Sequence, residues 1–151
     1  LVNNVFEMLE IQANKKGISF SLDSKFKSVN VIADQEKIHQ VLTNLIENSV
    51  KYGKESGTSE VTIESITENK IIIRITDNGS GIQKIHFNRL FERFYRVDNS
   101  GNRITGGSGL GLAIVKHVAM RHQAELRIES QIGQGSTFEM VFVKDRLVDG
   151  A

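Results

Sequence analysis

Two glycine-bearing stretches and one asparagine-bearing helix hold the residues of this chain that could do chemistry. The first stretch, Asp77-Asn78-Gly79-Ser80-Gly81-Ile82, follows the apolar run Ile71-Ile72-Ile73-Arg74-Ile75. Side chains alternate along a strand, so Ile71, Ile73, Ile75 and Asp77 share one face. A carboxylate thus continues the core side of a strand, where it is costly without a hydrogen-bond donor. Gly79 and Gly81 leave room for a bulky group to approach the backbone. The second stretch, Gly107-Ser108-Gly109-Leu110-Gly111-Leu112, opens an apolar helix, and free N–H groups with the helix dipole favour an anion there. A carboxylate that wants a donor and a helix start that wants a phosphate imply a nucleotide between them. On the third element, Asn44, Asn48 and Lys51 form one stripe of a helix, with Tyr52 beside it. Two readings of that stripe stand: solvated or backbone-packed amides, or an Asn48 amide oxygen on Mg²⁺ with Lys51 on a phosphate. Magnesium takes hard oxygens and draws much of its charge match from phosphates, so a neutral amide suffices.

The elements that position these groups follow from periodicity. Residues 1–16 have helical apolar spacing and stop at Gly17, and 18–22 alternate as a strand. Residues 29–33 read as a short strand, with Asp34 as N-cap of a helix over 35–52 whose core stripe is Ile38, Val41, Leu42, Leu45 and Ser49. Residues 60–66 and 70–77 form a hairpin around 67–69, and 85–94 are mixed or irregular. The stretch 98–107 is rich in Gly and Asn and is expected to be mobile. A helix over 109–122 and strands over 124–130 and 136–143 complete the pattern, and the tail from Lys144 is expected to fray. The fold class implied is an α/β two-layer sandwich: a mixed, mostly antiparallel sheet with about three helices on one face.

Composition removes several function classes. A chain of 151 residues is one domain. A formal charge of +1 offers no electrostatic case for nucleic acid or a membrane surface. With no Cys, disulfides and thiolate metal sites are out, which fits a reducing compartment. No apolar run approaches the ~20 residues of a membrane span. A P-loop motif is absent, and the glycine spacing at 106–111 fails the dinucleotide fingerprint. The chain opens mid-pattern without an initiator Met and reads as a piece of something longer.

Together these stretches resemble the ATP-binding domain of the GHKL superfamily (the Bergerat fold), and within it the catalytic domain of bacterial sensor histidine kinases. Residues 40–52 resemble the family's N box, 77–81 its first glycine box and 90–96 its F box. Residues 107–112 and 133–138 resemble the later glycine boxes. The resemblance implies ATP and Mg²⁺ as cofactors. Asp77 would accept a hydrogen bond from the adenine amine, and a guanine carbonyl there would oppose two acceptors, so ATP should be preferred over GTP. Gly79 and Gly81 would let backbone pass the base, with Ile82 in the same binding set. Thr137 would help on the adenine side through its hydroxyl or a water. Asn48 would hold the metal, Asn44 and Lys51 would lie near the phosphates, and Tyr52 beside the nucleotide. Residues 83–106 would form a lid, with Gly107, Ser108, Gly109, Leu110, Gly111 and Leu112 as hinge and phosphate nest. Phe91 and Phe94 would anchor the lid, Phe94 within the nucleotide-binding set. Besides Asn48 and Lys51, the catalytic set implied includes Arg93 and Arg96, either of which would neutralise γ-phosphate charge or be an ordinary lid arginine.

Two departures from the family pattern stand out, and the first bears on activity. Hydrolysing relatives carry a glutamate base four residues before the metal-holding Asn, where this chain has Asn44, which favours a kinase over a hydrolase. Glu47 lies ~100° around the helix from Asn48 and reads as outer shell or solvent. Secondly, Gln123-Ala124 stand where relatives often have two glycines, a mild change expected to affect only the helix end. None of His39, His86, His117 or His122 is followed by an acidic residue, so no phosphoacceptor is expected within the chain. The partners implied are a dimerisation domain preceding Leu1 and a response regulator. The localisation implied is a cytoplasmic domain of a protein anchored in the bacterial inner membrane. The rival readings are an ATPase or serine kinase of the same superfamily, or a module that binds nucleotide without catalysis.

Overall fold

Three helices pack on one face of a five-stranded sheet in this computed structural model, which describes residues 2–24, 35–67, 70–95 and 111–143. Helix α1 (Val2–Lys16) buries Val2, Val5, Leu9 and Ala13 at helical spacing. It ends where expected: Gly17 has φ +67°, and the Ile18 N–H reaches back to the Ala13 carbonyl at 2.9 Å. Strand β1 (Ser19–Ser24) is an edge strand, parallel to β2 (Thr58–Thr67). Strand β3 (Lys70–Asp77) is antiparallel to β2 and to β5 (Gly135–Val143), and β4 (Glu125–Gln131) closes the other edge. The spatial order is β1-β2-β3-β5-β4. The expected fold class is the one observed.

Helix α2 (Gln35–Lys51) buries the expected stripe and also Ile46 and Val50. The wider stripe arises because α2 is central, packed against α1 on one side and α3 (Gly111–Arg121) on the other. The buried Ser49 is satisfied by the Ile46 carbonyl at 2.6 Å and by Ser59 Oγ at 2.5 Å. Between β3 and α3, Lys84–His86 form a single 3₁₀ turn followed by further turns to Tyr95. The expected strand at 29–33, the Asp34 cap, the hairpin tip at 68–69, the loop 98–107 and the tail from 144 lie outside the described residues.

Asp77 falls on the helix-covered face, in line with Ile71, Ile73 and Ile75, as alternation demands. The opposite face of the same strand carries Ile72, Arg74 and Thr76. There Arg74 forms ion pairs with Glu64 and, at 3.1 Å, with Glu139.

Candidate functional site

The end of α2 and the glycine run after β3 face one another across a cavity of about 570 Å³, a size that suits a small-molecule ligand. Asn48, Lys51 and Tyr52 supply one wall, and the backbone from Asn78 to Ile82 supplies the facing one. Leu90 and Tyr95 close it on the 84–95 side, and Leu112 at the start of α3 completes it.

Both glycines are required first by the protein's own backbone. A Cβ on Gly79 would lie 2.0 Å from the Tyr52 carbonyl oxygen. On Gly81, at φ +77°, it would lie 2.1 Å from the Gln131 carbonyl oxygen. The glycine run is therefore wedged between the last turn of α2 and the β4–β5 turn, and this fixes the cavity wall.

Directly before that wall stands Asp77, only 6% exposed. Its Oδ1 accepts the Gly79 N–H at 2.9 Å, and the Ser136 backbone N–H also donates to it. Among the described residues it forms an ion pair with no Lys, Arg or His. Burial pushes its carboxyl above the ordinary value of 3.8, offset in part by the two N–H donors. A carboxylate held this way retains acceptor capacity for one further donor.

At the other end, Asn48 and Lys51 line the cavity, and Lys51 Nζ lies 3.3 Å from Glu47. Glu47 thus engages the lysine. Asn44 sits one turn earlier, against Gly111, whose Cβ position would be 3.7 Å from the amide. Its Nδ2 is buried without a hydrogen-bond partner among the described residues, which leaves a donor in need of an acceptor such as a phosphate oxygen.

Several residues of the expected site stand elsewhere. Thr137 faces away from Asp77: it is registered with Thr76, and their hydroxyls lie 3.1 Å apart on the far side of the sheet. Ser136 takes the place beside Asp77. Counting by twos from the core residue Phe138 reveals this, because residues 136, 138 and 140 share a face. Phe94 is 65% exposed at φ +66° and lies outside the cavity, with the Arg93 guanidinium 5.6 Å from its ring centre. Arg93 borders a separate groove of about 430 Å³ with Lys37, Gln40 and His117. Phe91 does anchor its segment, meeting Phe138 edge-on at 6.4 Å. Gly111 packs on Asn44, while Gly107, Ser108, Gly109, Leu110 and Arg96 lie outside the described residues.

The sequence reading missed three groups. Tyr95 lines the cavity while its hydroxyl hydrogen-bonds His86 Nδ1, and the Arg89 guanidinium sits 4.6 Å from its ring centre. It stands in an aromatic cluster with Phe91 and Phe94, of which Phe91 packs on Phe138 and Phe94, at φ +66°, is exposed, and spacing alone does not say which ring turns inward. Ser130 Oγ accepts the Ile82 N–H at 2.7 Å and reaches Ser136 Oγ at 2.7 Å and the Gly135 carbonyl at 2.9 Å. It ties β4 to the cavity wall. Ser136 itself is the third.

With this geometry in hand, the relationship to known proteins is direct. Residues 33–146 match the family described as histidine kinase-, DNA gyrase B-, and HSP90-like ATPase. The chain belongs to that family. Over 140 residues this ATPase domain is 38% identical to the sensor-like histidine kinase SenX3 of Mycolicibacterium smegmatis, covering 93% of the chain and 36% of the relative. It is 41% identical over 122 residues to the sensor histidine kinase YkoH of Bacillus subtilis, covering 80% and 26% respectively. The chain therefore spans about a third or less of these curated relatives. Among solved structures it is similar to the mycobacterial sensor histidine kinase MprB, with TM-score 0.79, 27% identity and 94% and 91% of the two chains covered. Similar too is full-length ShkA in complex with AMPPNP, with TM-score 0.82, 27% identity and 99% and 30% covered. The cavity and the family relationship agree on an ATPase-type domain of the kind that sensor histidine kinases carry.

Proposed function

We propose that this domain is the catalytic half of a two-component sensor kinase, which moves the γ-phosphoryl group of ATP to a histidine on a separate dimerisation domain. A response regulator would then accept the group. In this reading the 151 residues are a single catalytic domain, cytoplasmic, within a protein anchored in the bacterial inner membrane. No helix among the described residues is long and apolar enough to cross a membrane itself.

The observation that carries the reading is Asp77, a buried carboxylate without a cation among the described residues, behind a cavity whose far wall ends in Asn48 and Lys51. Such a carboxylate recognises a donor, and the adenine amine is the donor that distinguishes ATP from GTP. Asn48 would hold Mg²⁺ through its neutral amide oxygen, and the ion would screen phosphate charge when bound. Lys51 would reach a phosphate, and the Asn44 amide, one turn earlier, buried and without a partner among the described residues, would be a further donor at the same end. The acceptor imidazole forms a bond to the γ-phosphorus as the bond to the ADP oxygen breaks, and its ring proton passes to the carboxylate beside it on the other domain. The chain's own part is to position the nucleotide and neutralise charge. Lacking a glutamate at position 44, it offers water no base there. SenX3 and YkoH are named sensor kinases, and ThkA, of the same fold, has been solved with a response regulator, TrrA; both support the partner assignment.

The test is calorimetric titration with a non-hydrolysable ATP analogue, with and without Mg²⁺, beside the GTP analogue. Tighter adenine binding, strengthened by Mg²⁺, is expected. Equal affinity for the two bases would overturn the assignment of Asp77. Phosphotransfer from ATP to an added dimerisation domain distinguishes a kinase from a module that only binds.

A further inference from the structure

Lys16 is the last residue of α1, yet its side chain serves another helix. Its Nζ lies 3.0 Å from the Val50 carbonyl, 2.5 Å from that of Lys51 and 3.3 Å from that of Gly53. These carbonyls belong to the last turn of α2 and the residues after it, which have no partner further along the helix. That end of a helix carries partial negative charge, and an ammonium is the group that satisfies several carbonyls there at once. A basic residue near the end of α1 would ordinarily be assigned to α1's own dipole, and the exposed neighbour Lys15 fits that role. Lys16 is half-buried and spends two contacts on the last turn of α2 and the third on Gly53 just after it. The cation at the end of α2 itself, Lys51, is turned to Glu47 and the cavity.

What Lys16 holds is the cavity wall. Lys51, Tyr52, Gly53 and Lys54 line the cavity directly after the capped turn. The main-chain carbonyl of Lys16 also accepts the Ser56 N–H at 2.7 Å, so one residue grips both ends of the segment 50–56. On its other side this segment bears on the glycine run: the Tyr52 carbonyl accepts the Ser80 N–H at 3.4 Å and leaves no room for a Cβ on Gly79. Gly79 in turn donates its N–H to Asp77. A chain of direct contacts thus runs from the Lys16 ammonium through the end of α2 to the proposed adenine-recognising carboxylate.

We infer that Lys16 is a positioning residue for nucleotide binding: by capping α2 across the helix pair it sets the spacing between the Tyr52–Lys54 wall and Asp77. The inference rests on the nucleotide reading of the cavity, and its test keeps the two apart. The whole chain and its K16M and K16R variants are titrated with an ATP analogue and with adenosine, after thermal unfolding has shown that each is folded. K16M keeps the length and apolar stem but offers no donor, and is expected to weaken both ligands about tenfold and to similar degrees, since the displaced wall adjoins the base. K16R still reaches the carbonyls and should bind within about threefold of wild type. A K16M protein that unfolds at lower temperature but keeps wild-type affinity would show a purely structural lysine and overturn the inference. Loss confined to the triphosphate at low salt would overturn it as well, pointing to long-range charge. If K16M does not fold, K16Q carries the comparison, because a single short amide cannot span three carbonyls. Failure of the wild-type chain to bind either ligand would sink the nucleotide reading itself.

Discussion

Asp77 on β3 and Glu139 on the neighbouring β5 are both buried carboxylates, at 6% and 8% exposure, yet they lie on opposite faces of the sheet and live in opposite ways. Glu139 is ion-paired with Arg74, which it shares with Glu64, and Arg127 of β4 is registered opposite it, so the far face meets its carboxylates with cations. Asp77 has two backbone N–H donors and no cation among the described residues, and burial raises its carboxyl. The paired group holds strands together. The other is kept at a cost in stability, which is the usual signature of a group reserved for a ligand.

The comparison is broken most strongly at Asp77. D77A is expected to lower affinity for an ATP analogue by about 10–100-fold, the worth of a hydrogen bond to a charged group, read by calorimetry. D77N separates function from stability. Because the folded carboxyl lies above its ordinary 3.8, folding stability falls as pH rises from that value through the raised one, and the full cost is present above it. Near neutral pH, D77N should therefore unfold at a higher temperature than wild type while losing adenine selectivity. The advantage should close as pH falls to 3.8 and below, as followed by circular dichroism. Next in size, R74M removes the ion-paired partner of buried Glu139 and leaves it only the exposed Arg127 across the strand, so it should destabilise by about 1–2 kcal/mol in urea unfolding, less than for a fully buried pair. Affinity of the folded R74M protein should stay within about twofold of wild type, and E139Q in the same chain should recover most of the stability. Q123G comes third. Gln123 has φ +54° in the turn after α3, where the Ala124 N–H bonds the Ala119 carbonyl at 2.8 Å, so glycine should stabilise by about 0.5–1 kcal/mol. Smallest of all, R127A removes the exposed pair with Glu125, whose carboxyl Arg127 holds below its usual value, and should leave unfolding unchanged within error.

Much of this was legible beforehand, for reasons that differ by residue. Counting by twos along 71–77 put Asp77 on the core face because strand alternation is local and strict. Helical spacing brought Asn44, Asn48 and Lys51 to one side of α2 for the same reason. Thr137 went astray on a rule that was available: the alternation that placed Asp77, applied from Phe138, puts Ser136 and not Thr137 beside it. Phe94 stands outside the cavity for another reason: it has φ +66°, a conformation that strand or helix spacing does not anticipate, while Arg93 beside it borders a different groove.

By itself, then, the order of residues determined which chemical groups the protein would own and which face of each regular element would carry them, since both depend only on near neighbours. Tertiary structure alone decided what those groups meet. The glycines at 79 and 81 exist to admit the carbonyls of Tyr52 and Gln131, and Lys16 caps carbonyls 34 to 37 residues away. A backbone carbonyl is the same in every residue, so no side-chain pattern announces which one a distant lysine or glycine will find. Only strand register and helix packing bring them together.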